Sequence, residues 1–161
     1  MTPIAIALGS NVGDREQCLR DAIARLAPFV SNLQLSRLIE TEPVDMAGAQ
    51  RRVVNAAATG ETSLSARELL ERMLTTEQQL GRTRPHPGAA RTVDLDLILY
   101  GSDIIDEPPF LIVPHPRFRE RSFVLEPLAD VAAHWMDPVT GLTIAQLLEN
   151  RRDVERGHRS R

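Results

Sequence analysis

The stretch RTVDLDLILYG, residues 91–101, decides how the whole chain is read. Asp94 and Asp96 alternate with Val93, Leu95 and Leu97, and the run closes on aliphatic residues, Tyr100 and the turn residue Gly101. A period of two belongs to a strand, where both carboxylates leave one face while the apolar side chains fill the other. The stretch is therefore a strand with one face fit for a core and one fit for chemistry.

The segments before it supply the rest of a sheet. Residues 63–80, SLSARELLERMLTTEQQL, form an amphipathic helix capped by Ser63 or Ser65 and stopped by Gly81. Residues 53–59 are β-compatible, and Leu33 to Ile39 alternates, with Leu33, Leu35, Arg37 and Ile39 expected on one side. Residues 14–27 repeat apolar positions at helical spacing, with Asp14 near the start and Pro28 after the end. Pro3 to Leu8 is a buried strand ended by the turn residues Gly9, Ser10 and Asn11. The order is β-α-β-β-α-β, which predicts an α+β fold with an antiparallel sheet and two helices on one face. Downstream, residues 104–113 predict a short hairpin and residues 143–150 a last helix. The polar, Arg-rich residues 151–161 are expected to be a frayed tail beyond a single domain of residues 1–150.

Composition excludes several classes of function. A chain of 161 residues is one domain, and no apolar run approaches the roughly 18 residues that a membrane span needs. The opening residues lack the basic region of a secretory signal, so the chain is expected in the cytoplasm. All 19 basic residues are Arg, and without Lys there is neither a lysine Schiff base nor a Walker-type phosphate loop. Any phosphate must be held by guanidinium groups, backbone amides or metal. A net charge of -3 and only six aromatic residues argue against nucleic-acid binding. The single cysteine, Cys18, falls at helical spacing with Leu19, Ala22, Ile23 and Leu26 and is expected to be a buried thiol.

Four features carry chemistry. Asp94 and Asp96, about 7 Å apart on one strand face, suit a shared hard cation such as Mg²⁺ as well as they suit a solvated face. The loop after Gly81 offers Arg82, Arg84, Arg91 and His86 without a nearby acid, a set able to neutralise a polyphosphate or simply to keep a surface soluble. Arg117, Arg119 and Arg121 follow His115 at spacings of two, which suits one shared side of an extended segment as well as it suits an exposed basic loop interrupted by Glu120. Glu77 lies within the apolar stripe of Leu70, Met73, Leu74 and Leu80, so it either pairs with an Arg of the next loop or faces a ligand pocket. Asn55 likewise interrupts an apolar strand, where its amide can read a heterocycle's polar edge or bond to backbone.

These residues, taken in order, resemble the 6-hydroxymethyl-7,8-dihydropterin pyrophosphokinases of folate biosynthesis. The resemblance is carried by ALGSN at 7–11, TEPV at 41–44, Asn55-Ala56, Glu77 with Leu80-Gly81-Arg82, RTVDLDLILYG, VPHPR at 113–117, and Arg121 with Phe123. It implies a ferredoxin-like α+β fold and transfer of diphosphate from ATP to the pterin hydroxymethyl group, leaving AMP. It further implies two Mg²⁺ ions held by Asp94 and Asp96, catalytic roles for these two with Arg82 and Arg91, and an ATP site of Glu77, Arg82, Arg84, Arg91, His115 and Arg121. The pterin would meet Thr41, Pro43, Val44, Asn55 and Phe123. The partners implied are those two small molecules, acting on a monomer without nucleic acid or membrane.

The chain departs from the family's usual pattern at three places. Val53 stands where an aromatic is usual, residues 85–91 carry no Trp, and Leu74 replaces a polar residue common in some members. The first departure implies a pterin stacked by an aromatic on one face only. The long segments 42–52 and 82–91 are expected to close over the substrates. Two other readings compete: a nucleotidyltransferase or phosphohydrolase using the same aspartates, and a non-catalytic ligand-binding module on the same frame.

Overall fold

A computed structural model describes residues 1–11, 14–41, 53–81 and 93–159. Its main sheet is built from β1 (Thr2–Ser10), β2 (Ser31–Leu35), β3 (Ile39–Thr41), β4 (Val53–Thr62) and β5 (Asp94–Tyr100). The strand order is β2-β4-β1-β5, with β3 also pairing β4, and every pairing is antiparallel. Helices α1 (Arg15–Leu26) and α2 (Ala66–Gly81) complete the expected β-α-β-β-α-β arrangement. The helix caps follow from sequence. Asp14 accepts the Gln17 N–H, and Ser65 and Glu68 form a reciprocal capping box, Ser65 rather than Ser63 being the cap.

One expected strand is two. Leu35 pairs with Ala58 and Ile39 with Asn55, so three residues on one side face two on the other. Ser36 accounts for the extra residue: its N–H donates to the Ala57 carbonyl, and its hydroxyl accepts the Ala57 N–H and donates to the Arg37 carbonyl. This bulge reverses the alternation. Leu38, rather than Arg37, joins Leu33 and Leu35 at the core, and Arg37 turns out to pair with Asp130 at 2.8 Å.

The sheet is covered on both faces. Ile4, Ile6 and Leu8 of β1 pack with Leu19 and Leu26 of α1 and Leu69 and Met73 of α2. The opposite face presents Ala5, Ala7 and Ala57 to a second layer, α3 (Ser122–Ala132) and α4 (Ile144–Arg159). These small side chains let Val124, Leu125 and Leu128 of α3 lie close on the sheet, while Phe118, fully buried, fills the corner. The predicted hairpin is β6 (Ile105–Glu107) with β7 (Leu111–Val113).

Helix α4 does not end at Asn150. It runs on through residues expected to be frayed because its charges pair internally and with α3: Arg151 with Glu155, Arg156 with Glu149 and Asp153, Arg152 with Glu126, and Ser122 with Glu155. Among the described residues no helix is long and apolar enough to cross a membrane.

Candidate active site

Register builds the site. Gly9 of β1 pairs with Asn55 of β4 on one side and Asp94 of β5 on the other, and Ala7 pairs with Ala57 and Asp96. The row Asn55-Gly9-Asp94 therefore crosses three strands on the face that carries α3. Two strand spacings of about 4.8 Å put Asn55 and Asp94 roughly 9.6 Å apart at the backbone. The gap between them is floored by a residue with no side chain. A Cβ on Gly9 would stand 3.1 Å from Asn55 Oδ1.

Above this floor lies a cavity of about 210 Å³, bounded by Thr41, Val53 and Asn55 toward β3 and by Asp94 and Asp96 toward β5. Arg121 and Phe123, at the start of α3, also line it. The Arg121 guanidinium lies 5.7 Å from the Phe123 ring centroid, a cation–π pair. Asn55 Nδ2 donates to Thr41 Oγ1 at 2.8 Å, which fixes the amide and leaves Oδ1 on the Gly9 side. One side chain thus makes a structural bond and still lines the cavity.

Asp96 also lines a second cavity of about 260 Å³ beneath the β6–β7 hairpin, with Leu95, Leu97, Phe110, Val113 and His115. Asp96 stands where the two cavities meet, and Asp94 lines the first alone. Burial pushes the His115 imidazole below its usual pKa; Asp96 pulls it back up, and Arg121 and Arg117 push it further down. Its Nδ1 accepts the Arg117 N–H at 3.1 Å, so the neutral ring carries its proton on Nε2.

Glu77 has a partner that sequence reasoning did not foresee: Oε2 accepts the Leu95 backbone N–H at 2.6 Å. The three arginines after His115 separate. Arg121 lines the cavity, Arg117 pairs with Glu120, and Arg119 turns to a buried Asp137. The segment folds as a 3-10 turn, Phe118–Glu120, whose three residues per turn spread side chains that an extended strand would align. Gly9 as the cavity floor was also missed. Read with Ser10 as a turn that ends the strand, it lies inside β1, paired on both sides, where a glycine marks a close approach of something to the backbone. Arg82, Arg84, Arg91, Pro43 and Val44, with the segments expected to close, lie outside the described residues.

The donor set can be tested against a metal. Asp94 and Asp96 offer carboxylate oxygens on one face, and among the described residues no cluster of three or more His, Cys, Asp or Glu forms a closed cage. That fits a hard cation completing its shell with water and a ligand's phosphate oxygens, as Mg²⁺ does, and does not fit a structural zinc site.

The ferredoxin-like sheet thus places two carboxylates on the face where a slot floored by Gly9 lies beside a second cavity. Residues 5–133 match the family described as 7,8-dihydro-6-hydroxymethylpterin-pyrophosphokinase (HPPK), and the chain belongs to it. It is 47% identical to the 2-amino-4-hydroxy-6-hydroxymethyldihydropteridine pyrophosphokinase of Bacillus subtilis over 128 residues, 78% of this chain and 75% of that one. Its identity with the enzyme of the same name from Synechocystis is 40%, over 89% of this chain and 73% of that one. The folic acid synthesis protein fol1 of Pneumocystis carinii is 40% identical over 91% of this chain, which spans only 20% of that longer protein. The fold is shared with the HPPK-DHPS protein of Plasmodium falciparum, with TM-score 0.75 at 13% identity over 92% of this chain and 44% of that one.

Proposed function

We propose that the chain transfers diphosphate from ATP to 6-hydroxymethyl-7,8-dihydropterin in folate synthesis, with the pterin in the slot floored by Gly9. The observation that carries this reading is the row Asn55-Gly9-Asp94, which joins an amide edge, an open floor and a carboxylate under Arg121 and Phe123. Family membership and the pyrophosphokinase relatives support the reaction.

Asn55, held by Thr41, reads the polar edge of the pterin, and Phe123 covers a ring face. This points the hydroxymethyl group toward the carboxylates. Asp94 and Asp96 would hold Mg²⁺, two ions by the family resemblance, which when bound would offset the charge of the polyphosphate. The cavity on the far side of Asp96, walled by Leu95, Leu97 and Phe110 with His115, suits the nucleoside of ATP, with the neutral His115 Nε2–H and, from the first cavity, the Arg121 guanidinium as donors to phosphate oxygens. Glu77, Arg82, Arg84 and Arg91 join them by resemblance, as Pro43 and Val44 join the pterin site.

The hydroxymethyl oxygen bonds to the β-phosphorus as the bond to the α-phosphate oxygen breaks; AMP leaves and the hydroxyl proton is released. Such a transfer depends on alignment and charge neutralisation more than on a dedicated base. By the family resemblance, a monomer works on these two small molecules. The reading keeps the cytoplasm as its expected place.

Product analysis tests the reaction. ATP and the pterin should yield AMP and pterin diphosphate in equal amounts. ADP or free phosphate as product would replace this reading with another transferase or a hydrolase. Asp94→Ala and Asp96→Ala should each lower turnover by roughly 10²-fold or more while unfolding stays cooperative; near-normal turnover in either would remove the metal role.

A further inference from the structure

We propose that the Arg119–Asp137 ion pair is a positioning device that sets Arg121 and Phe123 over the cavity. Asp137 is fully buried, yet its carboxylate accepts four hydrogen bonds: Arg119 Nε at 2.5 Å and Nη2 at 2.9 Å, the Val139 N–H at 3.0 Å and the Thr140 hydroxyl at 2.7 Å. A buried charge met this completely holds its partner in one place.

The anchored partner sits in the 3-10 turn that leads into α3. Phe118 is locked in the core, with the Arg119 guanidinium 4.8 Å from its ring centroid. The Arg121 N–H returns to the Phe118 carbonyl at 3.2 Å, and the Leu125 N–H to the Arg121 carbonyl at 3.0 Å. Arg121 closes this turn in an extended conformation and caps α3, two residues after the anchored Arg119. Fixing Arg119 inward therefore fixes the backbone that delivers Arg121 to the cavity and sets the first turn of α3, from which Phe123 projects. Neither Arg119 nor Asp137 lines either of the two cavities at the carboxylate pair, so any effect on substrate must pass through the turn. A second anchor, Arg37 with Asp130, holds the far end of the same helix and serves as a control.

The inference rests on the reading that Arg121 and Phe123 meet the substrates. Arg121→Ala and Phe123→Ala test that reading separately; wild-type pterin and ATP binding in both would sink it whatever the ion pair does. For the ion pair, the readout is pterin affinity by calorimetry in the presence of a non-hydrolysable ATP analogue, alongside thermal unfolding. Asp137→Asn and Arg119→Gln should raise the dissociation constant roughly tenfold. The double variant Arg119→Leu/Asp137→Leu leaves no unpaired charge, so its melting temperature should recover relative to Asp137→Leu while affinity stays low. Affinity that recovers along with stability would overturn the proposal. Should the double variant fail to fold, Arg119→Lys keeps the charge but loses the two-pronged grip; weakened binding at near wild-type melting temperature supports positioning, and unchanged binding overturns it. Asp130→Asn should lower stability without weakening binding; a matching loss of affinity there would mean general softening of α3 and would also overturn it.

Discussion

The Glu77 carboxylate accepts the backbone N–H of Leu95, the residue between Asp94 and Asp96, at 2.6 Å. Helix α2 thereby pins the strand that carries both aspartates at the one residue that they flank. Outer groups of this kind are worth about 10- to 100-fold in metal affinity or activity. Glu77→Ala should shift the Mg²⁺ dependence of turnover to higher concentration by about that factor, and Glu77→Gln, which keeps an acceptor, by less. An unchanged Mg²⁺ titration in the Ala variant would count against the link.

Gly9→Ala places a methyl group in the floor of the slot, 3.1 Å from Asn55 Oδ1. Gly9 shows no left-handed backbone, so the penalty falls on the cavity and not on the chain. Pterin affinity should fall by roughly tenfold, the scale of one displaced hydrogen bond, with thermal stability nearly unchanged. Calorimetry with and without pterin separates the two.

Val53 lines the slot and offers it no aromatic face. Val53→Tyr should tighten pterin binding by about two- to tenfold, the worth of one added aromatic contact at 0.5–1.5 kcal/mol. Weaker binding would mean that the slot is already filled by the ring and leaves the larger side chain no room.

The acid limb of stability should belong to Asp130 and Asp137. Hydrogen bonding to Arg37 holds the Asp130 carboxyl below its ordinary pKa. Burial would raise Asp137, but Arg119, Thr140 and the Val139 N–H outweigh it, and its pKa is also lowered. A carboxylate with a depressed folded pKa contributes fully above its unfolded value, about 3.9, and loses that contribution as pH falls through the folded value. Melting temperature should therefore drop on acidification below about pH 4. Asp137→Asn should start lower at pH 7 and show a shallower fall, measured by calorimetry from pH 7 to pH 2.

Much of this was legible because it is local. The alternation around Asp94 and Asp96 names a strand and its two faces, and helical spacing with Asp14 and Ser65 names α1 and α2. Asn55 and Glu77 stood out as polar residues in apolar patterns, although only the fold reveals that one bonds Thr41 and the other a backbone N–H. The Ser36 bulge was not legible, since it depends on a hydroxyl standing in for a ladder bond across to Ala57, and a propensity pattern carries no register. Arg119 was misread for a related reason: its partner lies 18 residues on, and a 3-10 turn rotates what an extended segment would align. The extra length of α4 came from charge pairs with α3 that a polar composition conceals.

Ala5, Ala7 and Ala57 lie beneath the helix whose first turn holds Phe123. They act as shims. Lengthening any of them by a methylene would lift that end of the molecule and widen the gap between ring face and sheet, so the width of the slot depends on Ala5 and Ala57, which lie outside it, as well as on Ala7, which lines it.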